Sequence, residues 1–119
     1  MIIKKGVLLM TDNAMGFIET FGYGAAIAAA DAALKAAAVN ILRIESTIGS
    51  GGSLGVTVFL RGEVAAVKAS VEAGVDAVNR IGKVVSSNVI PNLDQKVHKG
   101  MYHGRLLELN NEASAESGK

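Results

Sequence analysis

Residues 51–55 read Gly51-Gly52-Ser53-Leu54-Gly55, the G-x-S-x-G spacing in which a serine can stand as a nucleophile on a sharp turn. Acids and histidines follow in the order such a site uses: Asp76 or Asp94, then His98 or His103. That chemistry needs a strand before the turn and a helix after it. Here "VTVFL" (Val56–Leu60) follows, which is strand sequence. Glycines at 49, 51 and 55 also suggest a phosphate cradle, but the spacing is G-x-G-x-x-x-G, and no helix N-terminus follows to aim amides at an anion. His98 and His103 are spaced H-x₄-H, off the i, i+4 face that a helical metal site uses, with Gly100 between them. They read as surface histidines, and Tyr102 as a packing residue. No catalytic residue, metal ligand or cofactor site is assigned, and no enzyme activity is expected. The stretch is then a β–β connection of residues that tolerate φ > 0 and carry almost no side chain. A flexible hairpin loop and a loop that leaves space open at a symmetry axis both fit that composition.

The elements around the loop follow from periodicity. "MGFIETFG" (Met15–Gly22) reads as a strand with Phe17 and Phe21 on one face and Ile18 on the other. Gly22 and Gly24 mark the turn into an alanine-rich helix, Ala25–Ala38, in which Asp31 and Lys35 form an i, i+4 pair with the acid first. "NILRIES" (Asn40–Ser46) alternates, with Ile41, Arg43 and Glu45 on one side and Leu42 and Ile44 on the other. After Val56–Leu60, a second helix carries Val64, Val67, Val71, Val75 and Val78 on one face and Lys68/Glu72 and Asp76/Arg80 outside, and Gly82 closes it. "VVSSNVI" (Val84–Ile90) is the last strand, stopped by Pro91. The order β-α-β-β-α-β predicts an α+β, ferredoxin-like fold: a four-stranded antiparallel sheet with both helices on one face. Residues 92–109 form a C-terminal segment with helical character, and 110–119 a tail expected to be disordered.

The bulk composition excludes several classes. Twelve Lys+Arg against eleven Asp+Glu give a formal net charge of +1, without the clustered cationic surface nucleic acid requires. There is no cysteine, hence no disulfide, thiolate metal site or cysteine-ligated cluster within this chain. The apolar runs near the start are split by Lys4 and Lys5, a poor signal peptide, and none elsewhere approaches the ~20 residues of a membrane helix. Alanine dominates while aromatic residues make up only 4%, so each side chain buries little area, and stabilisation by assembly is expected.

"MGFIETFGYGAAIAAADAALKAAAVNIL", "IGSG", "VTVFLRGEVAAVKASVEAGVDAVNRIG" and "VVSSNVIP", in this order, resemble the bacterial microcompartment shell proteins of the single-domain, hexamer-forming type, the BMC-domain family. The resemblance spans Met15 to Pro91, so residues 1–14 are an N-terminal extension and 15–91 the shell domain. It implies a cytoplasmic location in a microcompartment shell, a homohexamer that tiles into facets, and other shell proteins and encapsulated enzymes as partners. It places Ile48, Gly49, Ser50 and Gly51, with the adjoining Gly52 and Ser53, at a pore for small polar metabolites on the six-fold axis. It places the inter-hexamer edge at Lys35 and at Asn92, the position after V-I-P.

The chain departs from the family pattern in three places. Thr47 stands where the family's pore motif usually has Lys, and a few extra residues lengthen the loop. Asn92 stands where the edge commonly has Arg. A cysteine motif for an iron–sulfur cluster, present in some relatives near the pore, is absent. A rival reading of the same fold is a ferredoxin-like regulatory domain that binds a small metabolite. Assembly state separates the two: a shell tile forms hexamers and sheets, a regulatory domain a dimer or trimer.

Overall fold

Ala14–Phe21 alternates as expected, with Ile18 fully buried and Phe21 half exposed, and forms the strand β1. In the computed structural model, which describes residues 13–48 and 52–101, the remaining elements are α1 (Tyr23–Ala36), β2 (Asn40–Ile48), β3 (Leu54–Gly62), α2 (Val64–Asn79) and β4 (Val84–Ile90). The sheet order is β2-β3-β1-β4, with every neighbouring pair antiparallel. β1 and β2 are thus parallel to each other across β3, and each half is a split βαβ unit. This is the predicted fold class. Most of the N-terminal extension, the tail at 110–119, and His103 and Tyr102 lie outside the described residues.

The helices pack on one face of the sheet through unusually small residues. Ala26, Ala29, Ala30 and Ala33 of α1 are buried with Val67, Val71 and Val78 of α2 over Ile18, Val56, Val58 and Leu60. At Gly16 in β1, a Cβ would stand 2.5 Å from Val71 Cγ2 and 2.8 Å from Val67 Cγ1. At Gly74 in α2, it would stand 2.5 Å from Ile18 Cδ1 and 3.0 Å from the Ala29 carbonyl oxygen. Between these points the buried Ser70 hydroxyl donates to the Ala33 carbonyl of α1 at 2.9 Å. The helix-to-helix and helix-to-sheet contacts are therefore close to backbone on backbone.

Element ends depart from the sequence reading for identifiable reasons. α1 starts two residues early because Gly22, at φ +80°, turns the chain from strand straight into helix. It stops early because Ala37 becomes extended and the Val39 N–H donates to the Ala37 carbonyl at 3.0 Å, which turns Val39 into the core. α2 is closed by the Gly82 N–H donating to the Val78 carbonyl at 2.8 Å. Among the described residues, Lys35–Asp31 and Arg43–Glu45 form ion pairs; the spaced charges on α2 do not. In β2 the simple alternation is corrected by a bulge: Ile41 faces Leu60 and Arg43 faces Phe59, so the intervening Leu42 turns to the face away from the helices. Ile41 and Arg43 are consequently on opposite faces, as are Leu42 and Ile44.

On that outer face Met15, Leu42 and Leu93 form a second apolar cluster with Phe59 and Met101. Leu93 is held there by its N–H donating to the Asn13 carbonyl at 2.9 Å, and a helical segment begins at residue 95. The predicted C-terminal helical character is thus present over 95–101.

Gly16→Ala is expected to destabilise the fold by about 1–3 kcal/mol, because Val67 and Val71 are β-branched on a helix and have no alternative rotamer to retreat into. Gly74→Ala is expected to cost less, since the hardest clash is with the flexible end of Ile18 and alanine gains about 1 kcal/mol in helix propensity, while the Ala29 carbonyl at 3.0 Å forces α2 and α1 apart by a few tenths of an ångström. Urea midpoints of the two variants against the parent check this order.

Candidate functional site

Thr47 and Ile48 continue β2 beyond its predicted end, and Leu54 starts β3 earlier than predicted, so Ile48 pairs with Leu54 as the last rung of the hairpin. β-branched residues favour this extension, and Gly55 allows the Thr47 hydroxyl to approach where a Cβ would stand 3.4 Å from it. The connection is thereby cut to residues 49–53. Gly49, Ser50 and Gly51 lie outside the described residues. Gly52 sits at φ +79° with open space around it, which only glycine adopts without strain, and Ser53 is exposed. Ile48 is 82% exposed although it is a large aliphatic side chain in a strand.

The base of this hairpin is fixed to the turn between β1 and α1. The Gly22 N–H donates to the Leu54 carbonyl at 2.8 Å, and Phe21 pairs with Gly55. β4 starts at this end too, with Val84 opposite Thr20. One end of the sheet therefore carries the exposed apolar residues Phe21, Ile48, Leu54 and Val85, with Tyr23 and Ile81 at the adjoining helix ends. No titratable side chain lies between Ile48 and Val56, so the loop offers peptide groups and serine hydroxyls as its polar surface.

The opposite end holds the other predicted residues. Lys35 is in the last turn of α1, its side chain 76% exposed, with Nζ 2.8 Å from Asp31 Oδ2. Asn92 is exposed in the turn after β4. The two belong to different elements, and the ion partner of Lys35 is Asp31. Ser53 and His98 cannot share a site: Ser53 adjoins the rung Phe21–Gly55, whereas His98 touches Asn13, just before the rung Ala14–Gly62. Seven steps of strand, about 23 Å at ~3.3 Å each, separate those rungs. With a strand rather than a helix after Ser53, no nucleophile elbow forms. Among the described residues, no group of three His, Cys, Asp or Glu side chains is placed to hold a metal ion.

The sequence reading of His98 as a surface histidine is overturned. Its side chain faces inward from segment 95–101, leaving the residue 2% exposed, with Nε2 3.3 Å from the Asn13 carbonyl oxygen. Asp94 starts that segment: its carboxylate accepts from the Lys96 N–H at 2.8 Å and its carbonyl from the Val97 N–H at 3.0 Å. Burial holds the His98 pKa below the usual value of 6.5, the Arg61 guanidinium adds to this, and the Asn13 carbonyl opposes it. The signals legible in advance were Asp94 as a cap and the i, i+3 pair His98 and Met101; the distant Asn13 carbonyl had none.

The BMC domain family matches residues 14–93. The chain is 46% identical over 90 residues to the bacterial microcompartment shell protein PduA of Citrobacter freundii, covering 76% of this chain and 92% of that protein. It is 48% identical over 79 residues to the carboxysome shell protein CcmK2 of Synechocystis sp., covering 65% and 73% respectively. The microcompartment shell protein EutM of Escherichia coli is 47% identical over 79 residues, covering 66% and 77%. A crystal structure of a microcompartment protein from Desulfitobacterium hafniense superposes with a TM-score of 0.65 at 36% identity, covering 78% of this chain. This chain spans about half the length of that one, 51%. The named relatives are shell proteins and not enzymes, and among the described residues no helix is long and apolar enough to cross a membrane.

Lys35→Ala is expected to leave the folded chain almost unchanged, within about 0.5 kcal/mol, because an exposed i, i+4 ion pair is screened by solvent. A thermal melt of the variant beside the parent checks it.

Proposed function

Since the chain belongs to the BMC domain family, whose named relatives are microcompartment and carboxysome shell proteins, we propose that it is a shell tile: a ring-forming subunit without catalysis that passes small polar metabolites through its Gly/Ser loop. The observation that carries this reading is the gathering of exposed apolar side chains at the loop end of the sheet. Phe21, Tyr23, Ile48, Leu54 and Ile81 are each more than a third exposed there, on a chain whose Ala-rich helices supply little burial of their own. Contact between copies removes such a surface from water, and a heterologous contact repeated about an axis closes into a ring. In the proposed hexamer, copies of Ile48–Ser53 converge at the centre. Glycine and serine crowd there without clashing, and peptide and hydroxyl groups replace water around small neutral or anionic polar solutes. Lys35 and Asn92, at the far end, then face the neighbouring tile; Lys35 can lie along that edge and donate to its carbonyls. The other shell proteins, the encapsulated enzymes and the cytoplasmic location belong to this same reading.

Light scattering and native mass spectrometry are expected to show a hexamer; a monomer or dimer across micromolar to millimolar concentrations overturns the ring. Lys35→Asp is expected to keep the hexamer and abolish extended sheets in electron micrographs, because a carboxylate repels the carbonyls that the ammonium would meet. For the loop, Ser50→Phe is expected to slow metabolite flux through assembled shells, and unchanged flux would mean that the solute crosses elsewhere.

A further inference from the structure

We infer that the segment from Leu93 to Met101 is a latch over the outer face of the sheet, opened by a proton on His98. The proposal is independent of the ring. Three groups of this segment converge on Asn13: the Leu93 N–H at 2.9 Å and His98 Nε2 at 3.3 Å on its carbonyl, and Gln95 Nε2 at 3.0 Å on its side-chain oxygen. Leu93 and Met101 cover Met15, Leu42 and Phe59. Because Asn13 presents a carbonyl, Nε2 must carry the proton, and in the docked, neutral ring Nδ1 is bare. Nδ1 is buried, and no acceptor among the described residues reaches it. A second proton would therefore put an N–H with no partner among the described residues, and a full charge, into a buried site beside the Arg61 cation, and both are costly there.

Among the described residues, no carboxylate is placed against the His98 ring to hold that proton. From β3 the facing group is the buried Arg61, also a cation. From β2, Arg43 and Glu45 engage each other at 2.6 Å. On β1, Glu19 accepts from the Thr57 hydroxyl at 3.4 Å, four residues along the strand from Met15. On the segment itself Lys96 and Lys99 are exposed, and the Asp94 carboxylate is engaged with the Lys96 N–H. The face beneath is apolar, so undocking hydrates the ring and uncovers Met15, Leu42 and Phe59, while the helix-side core stays closed.

The sign follows from linkage. Docking lowers the affinity of His98 for protons, so the undocked state binds more protons as pH falls below 6.5. Above that value the opening equilibrium of the latch no longer depends on this proton. Below it, that equilibrium rises by up to about tenfold per pH unit, until the ring titrates in place.

Amide hydrogen exchange on the intact chain, corrected for intrinsic rates, tests this between pH 7.5 and 5.5. Protection of the Leu93 and His98 amides is expected to fall by up to about tenfold at the lower pH, while Ile18 and Val58 amides keep theirs. His98→Gln, which retains a neutral donor toward Asn13, is expected to show no such fall. An equal fall in His98→Gln would assign the effect to another group, such as Asp94, and overturn the proposal. Parallel loss at Ile18 and Val58 would make it global unfolding and overturn the latch as well. If His98→Gln leaves the segment open at both pH values, an NMR titration of the His98 ring in the parent decides: a midpoint below 6.5 supports the latch, and one at or above it sinks it.

Discussion

The close approach of α2 to β1 and α1 is the constraint on which the other features of the fold depend. It exists because three positions carry nothing or almost nothing: Gly16 beneath Val67 and Val71, Gly74 against Ile18 and the Ala29 carbonyl, and Ser70 hydrogen-bonded to Ala33. Dispersion and desolvation fall off steeply with separation, so alanine side chains bury useful area only when their backbones come this near. A larger residue at any of these points would lift the helix and open voids beside side chains too short to fill them. The helical layer is therefore thin, and the sheet keeps a second face on which further packing can occur.

That packing gives the protomer two unlike ends. At one, the β2–β3 hairpin, the turn into α1 and the start of β4 bring together exposed aliphatic and aromatic residues around a loop without titratable side chains. At the other, the Asn13 backbone and side chain gather three groups of the C-terminal segment, and the last turn of α1 presents the Lys35–Asp31 pair. The separation keeps Ser53 away from His98 and Asp94. It also suits the proposed tile, in which the loop end is covered by neighbouring copies in the ring and the opposite end, which carries Lys35, meets water or the next tile.

The outer face illustrates how one local irregularity redirects a surface. The bulge between Ile41 and Arg43 turns Leu42 away from the helices, and Leu42 then joins Met15 and Phe59 as a floor for Leu93 and Met101. Without the extra residue, Leu42 would have shared a face with Ile44, and the C-terminal segment would have less apolar surface to dock on. The buried imidazole of His98 is tolerated beside that floor because its single proton has an acceptor in the Asn13 carbonyl.

Much of the fold was legible in the sequence, since it is written in short-range periodicity. Val67, Val71 and Val78 at helical spacing, the β-branched runs, and alanine propensity in α1 fix element type and order, and the order admits few topologies. The roles proposed for the loop and for Lys35 rest on motif resemblance, whereas the unsuitability of Ser53 as a nucleophile was legible from the strand that follows it. Tertiary structure decided what depends on partners far apart in the chain. The register Ile48–Leu54 shortens the loop through pairing across the hairpin. The bulge in β2 answers to the pairing with β3 and overrides the plain alternation of "NILRIES". His98 is buried because a carbonyl eighty-five residues earlier, Asn13, lies where the returning chain can reach it. Local propensity acts over a turn of helix or a few residues of strand; burial and register are set by contacts whose two halves no short window contains.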